Sequence, residues 1–150
     1  MARVSATHIV EAPAEEVWKS WDDFGNISKF HPALKGSHLL DTQATGLGAK
    51  RQCDMKDGKN HIRERIVDYV PNERMVIDIY DGTMPLKEAV ATLTLQSSGT
   101  DRTIVRMDME FTPKFGLLGG LMTPLMKPQF RGLLTSLLEA NAAYVQGTTA

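Results

Sequence analysis

Three side chains are candidates for acid/base or charge chemistry: His31, Arg51 and Glu64. Two of them, Arg51 and Glu64, occupy positions where the sequence pattern predicts apolar surroundings. Arg51 has the parity of its apolar strand neighbours, and Glu64 lies between Ile62 and Ile66. Both charges are therefore predicted to point toward the apolar side of a sheet. An imidazole, a guanidinium and a carboxylate in one apolar cavity would orient a polar ligand group or move a proton near neutral pH.

The turn between the two strands determines which residues face each other. Asp57-Gly58 is a hairpin signal, and pairing about it places Arg51 directly opposite Glu64. A buried ion pair is weak evidence for stability, because desolvation can exceed the Coulomb gain. One hypothesis is therefore a polar anchor for a ligand inside an apolar cavity. The alternative is that the strand ends open to solvent and the pair is a surface bridge.

The remaining reactive side chains give weaker signals. His31 precedes Pro32 at the end of two predicted short helices, where it either overhangs a pocket mouth as acid, base or donor, or caps a turn. Cys53 alternates with apolar residues, and no histidine lies near it in sequence, which favours a packed thiol over a nucleophile. The sequence shows no metal-ligand spacing, phosphate loop, nucleophile elbow or Ser/His/Asp group. It therefore predicts no metal and no organic cofactor.

Hydrophobic periodicity predicts the elements that position these residues. A strand over Arg3–Glu11 precedes a helix that begins near Pro13 and ends at Gly25, and a short helical piece over Ile27–Phe30 follows. From residue 36 the period is two, which predicts an antiparallel meander of six strands joined by short turns. These strands are 36–40, 49–55, 59–70, 75–80, 86–96 and 102–112.

The parity of the strands predicts an inner face that meets the final helix. This face carries Ile77, Ala91, Met107 and Met109. Pro128 opens a long amphipathic helix whose apolar positions include Phe130 and Leu134. Methionine and alanine line a face loosely, so a ligand cavity is one interpretation and ordinary core packing is the other.

The segment 115–124, FGLLGGLMTP, joins the last strand to this helix. It is shorter than the about 20 apolar residues of a membrane span, and its glycines and proline disfavour a rigid helix. We expect Gly116, Gly119 and Gly120 to make it a mobile portal flap. Its apolar residues Leu117, Leu118, Leu121 and Met122 would cover the interior. The alternative is a plain packed connection.

Length and charge limit the class of protein. The 150 residues predict a single domain over 1–150, and 17 basic against 18 acidic residues give a net charge of −1, which disfavours nucleic-acid binding. The first residues lack the apolar run of a secretory signal, and one cysteine cannot form an internal disulfide. We expect a cytoplasmic protein, a monomer or homodimer, without stable membrane insertion.

The phrases EAPAEEVW, DFGNISKFHP, GLGAKRQCDMKDG, IRERIVDYVPNERM and VRMDMEFTP, taken in this order, cover nearly the whole chain. Together they resemble the START-like polyketide cyclase/dehydrase and lipid-transport superfamily (SRPBCC). The resemblance implies an α+β helix-grip fold of the Bet v 1/START type. In that fold a curved antiparallel sheet of about seven strands wraps a long C-terminal helix, with two short helices after strand 1.

The resemblance also implies a function. Family members bind lipids, sterols, hormones or aromatic polyketides in the cavity between sheet and helix, and some catalyse cyclisation or dehydration there. Arg51, Glu64 and His31-Pro32 match residues of bacterial relatives, whereas Phe30 and Met107 stand where relatives often carry Trp. The expected ligand-binding set is Phe30, His31, Arg51, Glu64, Ile77, Ala91, Met107, Met109, Leu118, Met122, Phe130 and Leu134.

The first reading is thus a binding protein for a small hydrophobic molecule with at least one polar group. If the protein is an enzyme, the expected reaction is acid/base cyclisation or dehydration, with His31, Glu64 and Arg51 as candidates. The alternative is a protein-interaction module, such as a co-chaperone related to activators of the Hsp90 ATPase, recognised by an exposed apolar patch over a filled core. A third reading is a maturation factor for a redox enzyme.

Overall fold

Seven strands form the framework of the fold. The computed structural model describes residues 1–114 and 116–149, without the side chains of residues 116–120, 122, 148 and 149. The strands are β1 (Ala2–Val10), β2 (Leu34–Leu39), β3 (Lys50–Met55), β4 (His61–Val70), β5 (Arg74–Gly82), β6 (Leu86–Ser97) and β7 (Thr103–Pro113). Within the described residues they form an antiparallel sheet in the order β1-β7-β6-β5-β4-β3-β2. The predicted first strand and six-stranded meander are confirmed.

Two short helices follow β1, as predicted, and they carry the chain to the opposite edge of the sheet. They are α1 (Ala14–Asp22) and a 3₁₀ helix (Phe24–Lys29). Glu15 and Glu16 occupy the first turn of α1, where negative charge favours a helix start. In the sheet β1 pairs with β7, and β2 lies at the other edge. From β2 to β7 each strand pairs with the next one in sequence, so the connection from β1 to β2 is the crossover of the described sheet.

Each long strand alternates between an inner face and an open face. The buried apolar positions on the inner face of β5, β6 and β7 are Met75, Ile77, Ala89, Leu93, Leu95, Val105, Met107, Met109 and Phe111. Parity predicts all of them, although Ile79 and Ala91 on the same face are only partly buried. Register shifts between β2 and β3, β4 and β5, and β6 and β7 mark bulges, which bend the strands and curve the sheet.

The long C-terminal helix α2 (Gly116–Thr149) packs on β1 and β7. Its buried residues recur every three or four positions, so one face of the helix meets the sheet. They are Leu134, Leu137, Leu138, Asn141, Ala142 and Val145. Each large apolar side chain contributes about 1.5–3 kcal/mol of burial free energy before entropy is subtracted, which holds α2 in place. The predicted α+β helix-grip architecture is confirmed.

The start of α2 differs from the prediction. The helix begins at Gly116 instead of Pro128, and Pro124 and Pro128 both lie inside it. An internal proline costs about 3 kcal/mol, because it removes one backbone hydrogen bond and crowds the preceding turn. Tertiary packing offsets that cost: the ring of Phe130 lies 4.6 Å from the ring of Phe111 on β7.

The expectation that the glycines and the proline keep this segment from forming a helix is therefore wrong, because residues 116–124 are helical. That the segment moves as a portal flap stays a prediction, and residue 115 lies outside the described residues. Leu121, predicted to cover the apolar interior, is 74% exposed. The side chains of Leu117, Leu118 and Met122 lie outside the described residues. In the described part of the chain, no helix has the length and the hydropathy that a bilayer span requires.

Candidate functional site

A cavity of about 460 Å³ lies between the inner face of the sheet and α2. Its wall includes six apolar residues that the sequence predicts there: Ile77, Ala91, Met107, Met109, Phe130 and Leu134. The small side chain of Ala91 sits between Ile77 and Met109, its partners on β5 and β7, and leaves space between the layers. The volume lies within the about 300–1,000 Å³ typical of small-molecule sites.

Three other predicted residues do not stand in the described wall. Phe30 is buried behind it, with its ring 5.1 Å from the ring of Trp21 and 5.4 Å from that of Tyr144. It supports Trp21, which does line the cavity. Leu118 and Met122 have side chains outside the described residues, so their assignment to the site stays a prediction.

Arg51 and Glu64 form the polar centre of the wall. They are register partners on β3 and β4, as the hairpin turn predicts, and Arg51 Nε donates to Glu64 Oε1 at 2.8 Å. Arg51 is 3% exposed and Glu64 is 7% exposed, which rules out the alternative of a surface bridge. The 3₁₀ helix holds the guanidinium in place, because Nη1 donates to the carbonyl oxygen of Phe24 at 3.1 Å and the Phe24 ring lies 3.8 Å from the guanidinium carbon.

Cys53 completes this cluster. Its Sγ lies 3.3 Å from Glu64 Oε1, so the thiol donates to the same oxygen that Arg51 binds. Burial raises the pKa of the Cys53 thiol, and the negative charge of Glu64 raises it further. The thiol therefore stays protonated and acts as a donor. The prediction of a packed thiol is right about its burial but missed this hydrogen bond.

The second oxygen of the carboxylate is available to the cavity. Among the described residues, Glu64 Oε2 and Arg51 Nη2 have no hydrogen-bond partner, since the pair joins through Nε and Oε1 alone. Neither atom is fully enclosed by the surrounding protein, so a small molecule can reach both. Both residues line the cavity. A ligand can thus meet one carboxylate acceptor and one guanidinium donor.

His31 also lines the cavity and at the same time caps a turn. Its Nδ1 accepts a hydrogen bond from the backbone N–H of Ala33 at 3.2 Å. The proton of a neutral ring is therefore on Nε2. Burial lowers the pKa of His31 to about 4; Glu64 opposes the shift, whereas Arg51 and Lys56 add to it. The imidazole is neutral at pH 7 and offers an N–H donor.

Several wall residues were not predicted as site residues. Trp21, on the buried side of α1 with Val17 and Trp18, lines the cavity, and its indole Nε1 has no partner among the described residues. Lys56, Asp57 and Asn60 come from the β3–β4 turn, and Met84 comes from the β5–β6 turn. The exposure of Lys56 and Asp57 marks this end of the cavity as its mouth. The shared end of two hairpins is the sequence signal that could have identified them.

Comparison of the sequence with known families gives one match over almost the whole chain. Residues 1–146 match the family model described as polyketide cyclase / dehydrase and lipid transport. Among curated proteins, no sequence matches the chain.

Solved structures share the fold at low sequence identity. The ZhuI aromatase/cyclase from a Streptomyces species has a TM-score of 0.81 at 15% identity, covering 99% of this chain and 96% of its own. A START superfamily protein from Mycobacterium smegmatis has a TM-score of 0.78 at 18% identity, covering 97% and 98% respectively. A norcoclaurine synthase variant from Thalictrum flavum has a TM-score of 0.76 at 14% identity, covering 99% and 96%. At these identities the likeness shows the fold and not the activity.

Proposed function

The chain belongs to the polyketide cyclase / dehydrase and lipid-transport family, and we propose that it binds a small hydrophobic molecule between the sheet and α2. One observation carries the proposal: an apolar cavity of about 460 Å³ has a buried ion pair, Arg51 and Glu64, in its wall. A sheet face does not need such a pair for stability, because apolar residues of similar volume often do as well or better. Its position is explained if it orients the polar group of a ligand.

Ligand capture with a cavity-filling variant tests this proposal. Native mass spectrometry of the protein purified from its own host should detect a bound molecule, and a neutral naphthylamine fluorophore should bind with increased emission. Ala91→Phe should reduce fluorophore binding by about tenfold or more, since the new ring occupies the cavity. Val90→Phe, on the opposite face of β6, is the matched control and should leave binding unchanged. A protein that carries no molecule and binds no fluorophore would contradict the proposal.

A second candidate function, acid/base catalysis, has its own supporting observation. The open Oε2 of Glu64 can accept a proton, and the neutral ring of His31 can donate a hydrogen bond to a carbonyl oxygen. In the dehydration of a β-hydroxy ketone, Glu64 would take the α-proton while His31 binds the developing enolate oxygen. The protonated carboxyl would then return that proton to the departing β-hydroxyl group, which leaves as water as the C=C bond forms. An aryl-substituted β-hydroxy ketone would serve as the probe, with enone absorbance as the readout. Glu64→Gln should abolish turnover; equal rates with and without protein would count against catalysis.

The interaction-module alternative requires a filled core. It also requires an exposed apolar patch, and Leu121 and Leu125 are exposed, at 74% and 72%. The core is not filled, however, because the cavity lies between the sheet and α2. The proposal of ligand binding is therefore the one that the geometry favours.

A further inference from the structure

Resting on the proposed function, we propose that the cavity takes an amphiphile whose polar end is an uncharged hydroxyl group, as in an alcohol, phenol or enol. The ionised carboxylate of a fatty acid is the wrong partner for the same site. Three features of the wall support this choice: its balance of charge, its unused hydrogen-bonding atoms and the fixed position of the guanidinium.

The charges in the cavity wall already cancel. Arg51 and Lys56 are opposed by Glu64 and Asp57, and no other Lys, Arg, Asp or Glu of the described residues lines the cavity. The positive charge nearest the interior, on Arg51, is neutralised at 2.8 Å by Glu64. A carboxylate entering this region would lose its hydration and meet the Glu64 carboxylate without gaining an unpaired cation.

The unused hydrogen-bonding atoms are complementary to a hydroxyl group. Glu64 Oε2 accepts, while Arg51 Nη2 and His31 Nε2–H donate. A hydroxyl group both donates and accepts, so it can use both kinds of atom at once. A ketone or ester would leave Oε2 without a donor, and an ammonium group would add a charge that nothing in the wall balances.

The guanidinium is held where it stands. Arg51 donates to the Phe24 carbonyl and stacks on the Phe24 ring, while Cys53 fixes the Glu64 oxygen that Arg51 binds. A side-on bidentate grip on an incoming carboxylate uses Nε and Nη2, so Arg51 would have to break its bond to Glu64 to make it. The same contacts leave Oε2 as the carboxylate oxygen open to a ligand.

Decanol and decanoate form a matched pair of probes, since they differ only at the polar end. Each is titrated against the bound naphthylamine fluorophore at about pH 7.5, where the acid is ionised. We expect decanol to bind about tenfold more tightly or better, the effect of one charge-assisted hydrogen bond. An ionised acid is better solvated than an alcohol, so an unspecific apolar cavity would also show some preference. The decisive measurement is therefore the change in the ratio of the two affinities.

Glu64→Gln makes that measurement. It leaves Arg51 unpaired, so decanoate should bind about tenfold more tightly than to the wild type and the preference for decanol should shrink or reverse. Asp78→Asn is the matched control. Asp78 pairs with Arg65 at 2.9 Å outside the cavity wall, and the substitution changes the net charge of the protein by the same amount as Glu64→Gln. It should leave the ratio of affinities unchanged.

A double variant covers the case in which Glu64→Gln folds poorly. Arg51→Met with Glu64→Leu removes both charges, and circular dichroism checks the fold. Decanol should lose about tenfold in affinity, and decanoate should gain nothing. Lys56→Met tests the reversed orientation, with the polar end at the mouth. If decanoate bound the wild type tightly and Lys56→Met abolished that binding, the inference would be overturned.

The outcomes separate the inference from the function on which it rests. Equal affinities of the wild type for decanol and decanoate, or equal shifts in Glu64→Gln and Asp78→Asn, would overturn the hydroxyl assignment. Fluorophore binding that neither probe displaces would overturn it too, while leaving the cavity a ligand site. Failure of the fluorophore to bind any folded variant would instead contradict the proposed function.

Discussion

Arg51 and Glu64 face each other across β3 and β4, and a single 2.8 Å hydrogen bond from Nε to Oε1 joins them inside the sheet. Each charge is buried, at 3% and 7% exposure, and each depends on the other. The Phe24 carbonyl and Cys53 supply only neutral contacts. The pair therefore joins the 3₁₀ helix to the sheet and gives an otherwise apolar cavity its polar centre.

Removing one member of this pair should be costly. Arg51→Met leaves the Glu64 carboxylate buried without a cation, and we expect the free energy of unfolding to fall by about 3–5 kcal/mol. Urea denaturation followed by tryptophan fluorescence measures it. The double variant with Glu64→Leu should recover most of the loss, because no charge then remains buried.

The exposed pair on the open face of the sheet provides the control. Arg65 lies 2.9 Å from Asp78 with about half of its side chain exposed, so Arg65→Met should cost only about 0–1 kcal/mol. If Arg51→Met and Arg65→Met were equally mild, the Arg51–Glu64 pair would not be buried in solution.

The thiol of Cys53 should be unreactive in the folded protein. Burial and the neighbouring Glu64 raise its pKa, so the thiolate that attacks disulfide reagents is suppressed. Reaction with an aromatic disulfide reagent should be slow and should not accelerate between about pH 7 and about pH 9, the range in which an ordinary thiol ionises. The same protein unfolded in guanidinium provides the reference rate. Fast, pH-dependent labelling of the folded chain would show that Cys53 does not donate to Glu64.

The pH dependence of stability should contain a contribution from His31. Its pKa is about 4 in the folded state against 6.5 in the unfolded reference, so folding favours the neutral ring. This contribution is fully present above about pH 6.5 and is lost as the pH falls toward about 4, where protons bind the unfolded chain more readily. Because the side chain is partly exposed, we expect about 2–3 kcal/mol.

The variant His31→Asn isolates this effect, since Asn can still accept from the Ala33 N–H but does not titrate. The wild type should lose stability relative to His31→Asn between about pH 6.5 and about pH 4. Ring proton shifts in NMR spectra should titrate near the lower value. A midpoint near 6.5 would mean that the ring is solvated and not part of the cavity wall.

Local pattern was sufficient to predict the polar centre of the site. The period of two placed Arg51 and Glu64 on the inner face, and the Asp57-Gly58 turn fixed their register. The same logic could have found Cys53: it pairs with Ile62, so Glu64 is its diagonal neighbour, within reach of a side-chain contact.

The remaining features of the site and the fold depend on how closely α2 approaches the sheet, which the local sequence pattern does not encode. Helical periodicity turned Trp21 inward, but whether it meets packed core or an open cavity depends on the volume left beneath α2. The predicted start of α2 was wrong for a related reason. Pro124 was weighed as a local helix breaker, while packing such as that of Phe130 on Phe111 comes from residues far apart in sequence.

The last prediction concerns the open face of β7, where Asp108 is nearly buried under polar side chains. Arg106 binds both of its oxygens, with Nη2 to Oδ1 at 2.8 Å and Nε to Oδ2 at 3.0 Å. Ser5 on β1 donates to Asp108, and Arg3 lies 3.3 Å from Oδ1. The hydrogen bonds from Arg106 lower the pKa of Asp108 to about 2, with Ser5 and Arg3 adding to the shift against the effect of burial.

Because the folded-state pKa of Asp108 lies below its usual value of 3.8, its contribution to stability is present above about pH 4 and is lost as the pH falls toward 2. Asp108→Asn should therefore lower the free energy of unfolding by about 1–2 kcal/mol at neutral pH, a value discounted because both arginines are half exposed to water. The difference from the wild type should vanish near about pH 2, where the wild-type carboxyl is also becoming protonated. Glu110→Gln, an exposed change on the same strand, is the matched control and should have no such pH dependence. If the Asp108→Asn deficit persisted unchanged down to pH 2, the loss would come from packing and not from the charge of Asp108.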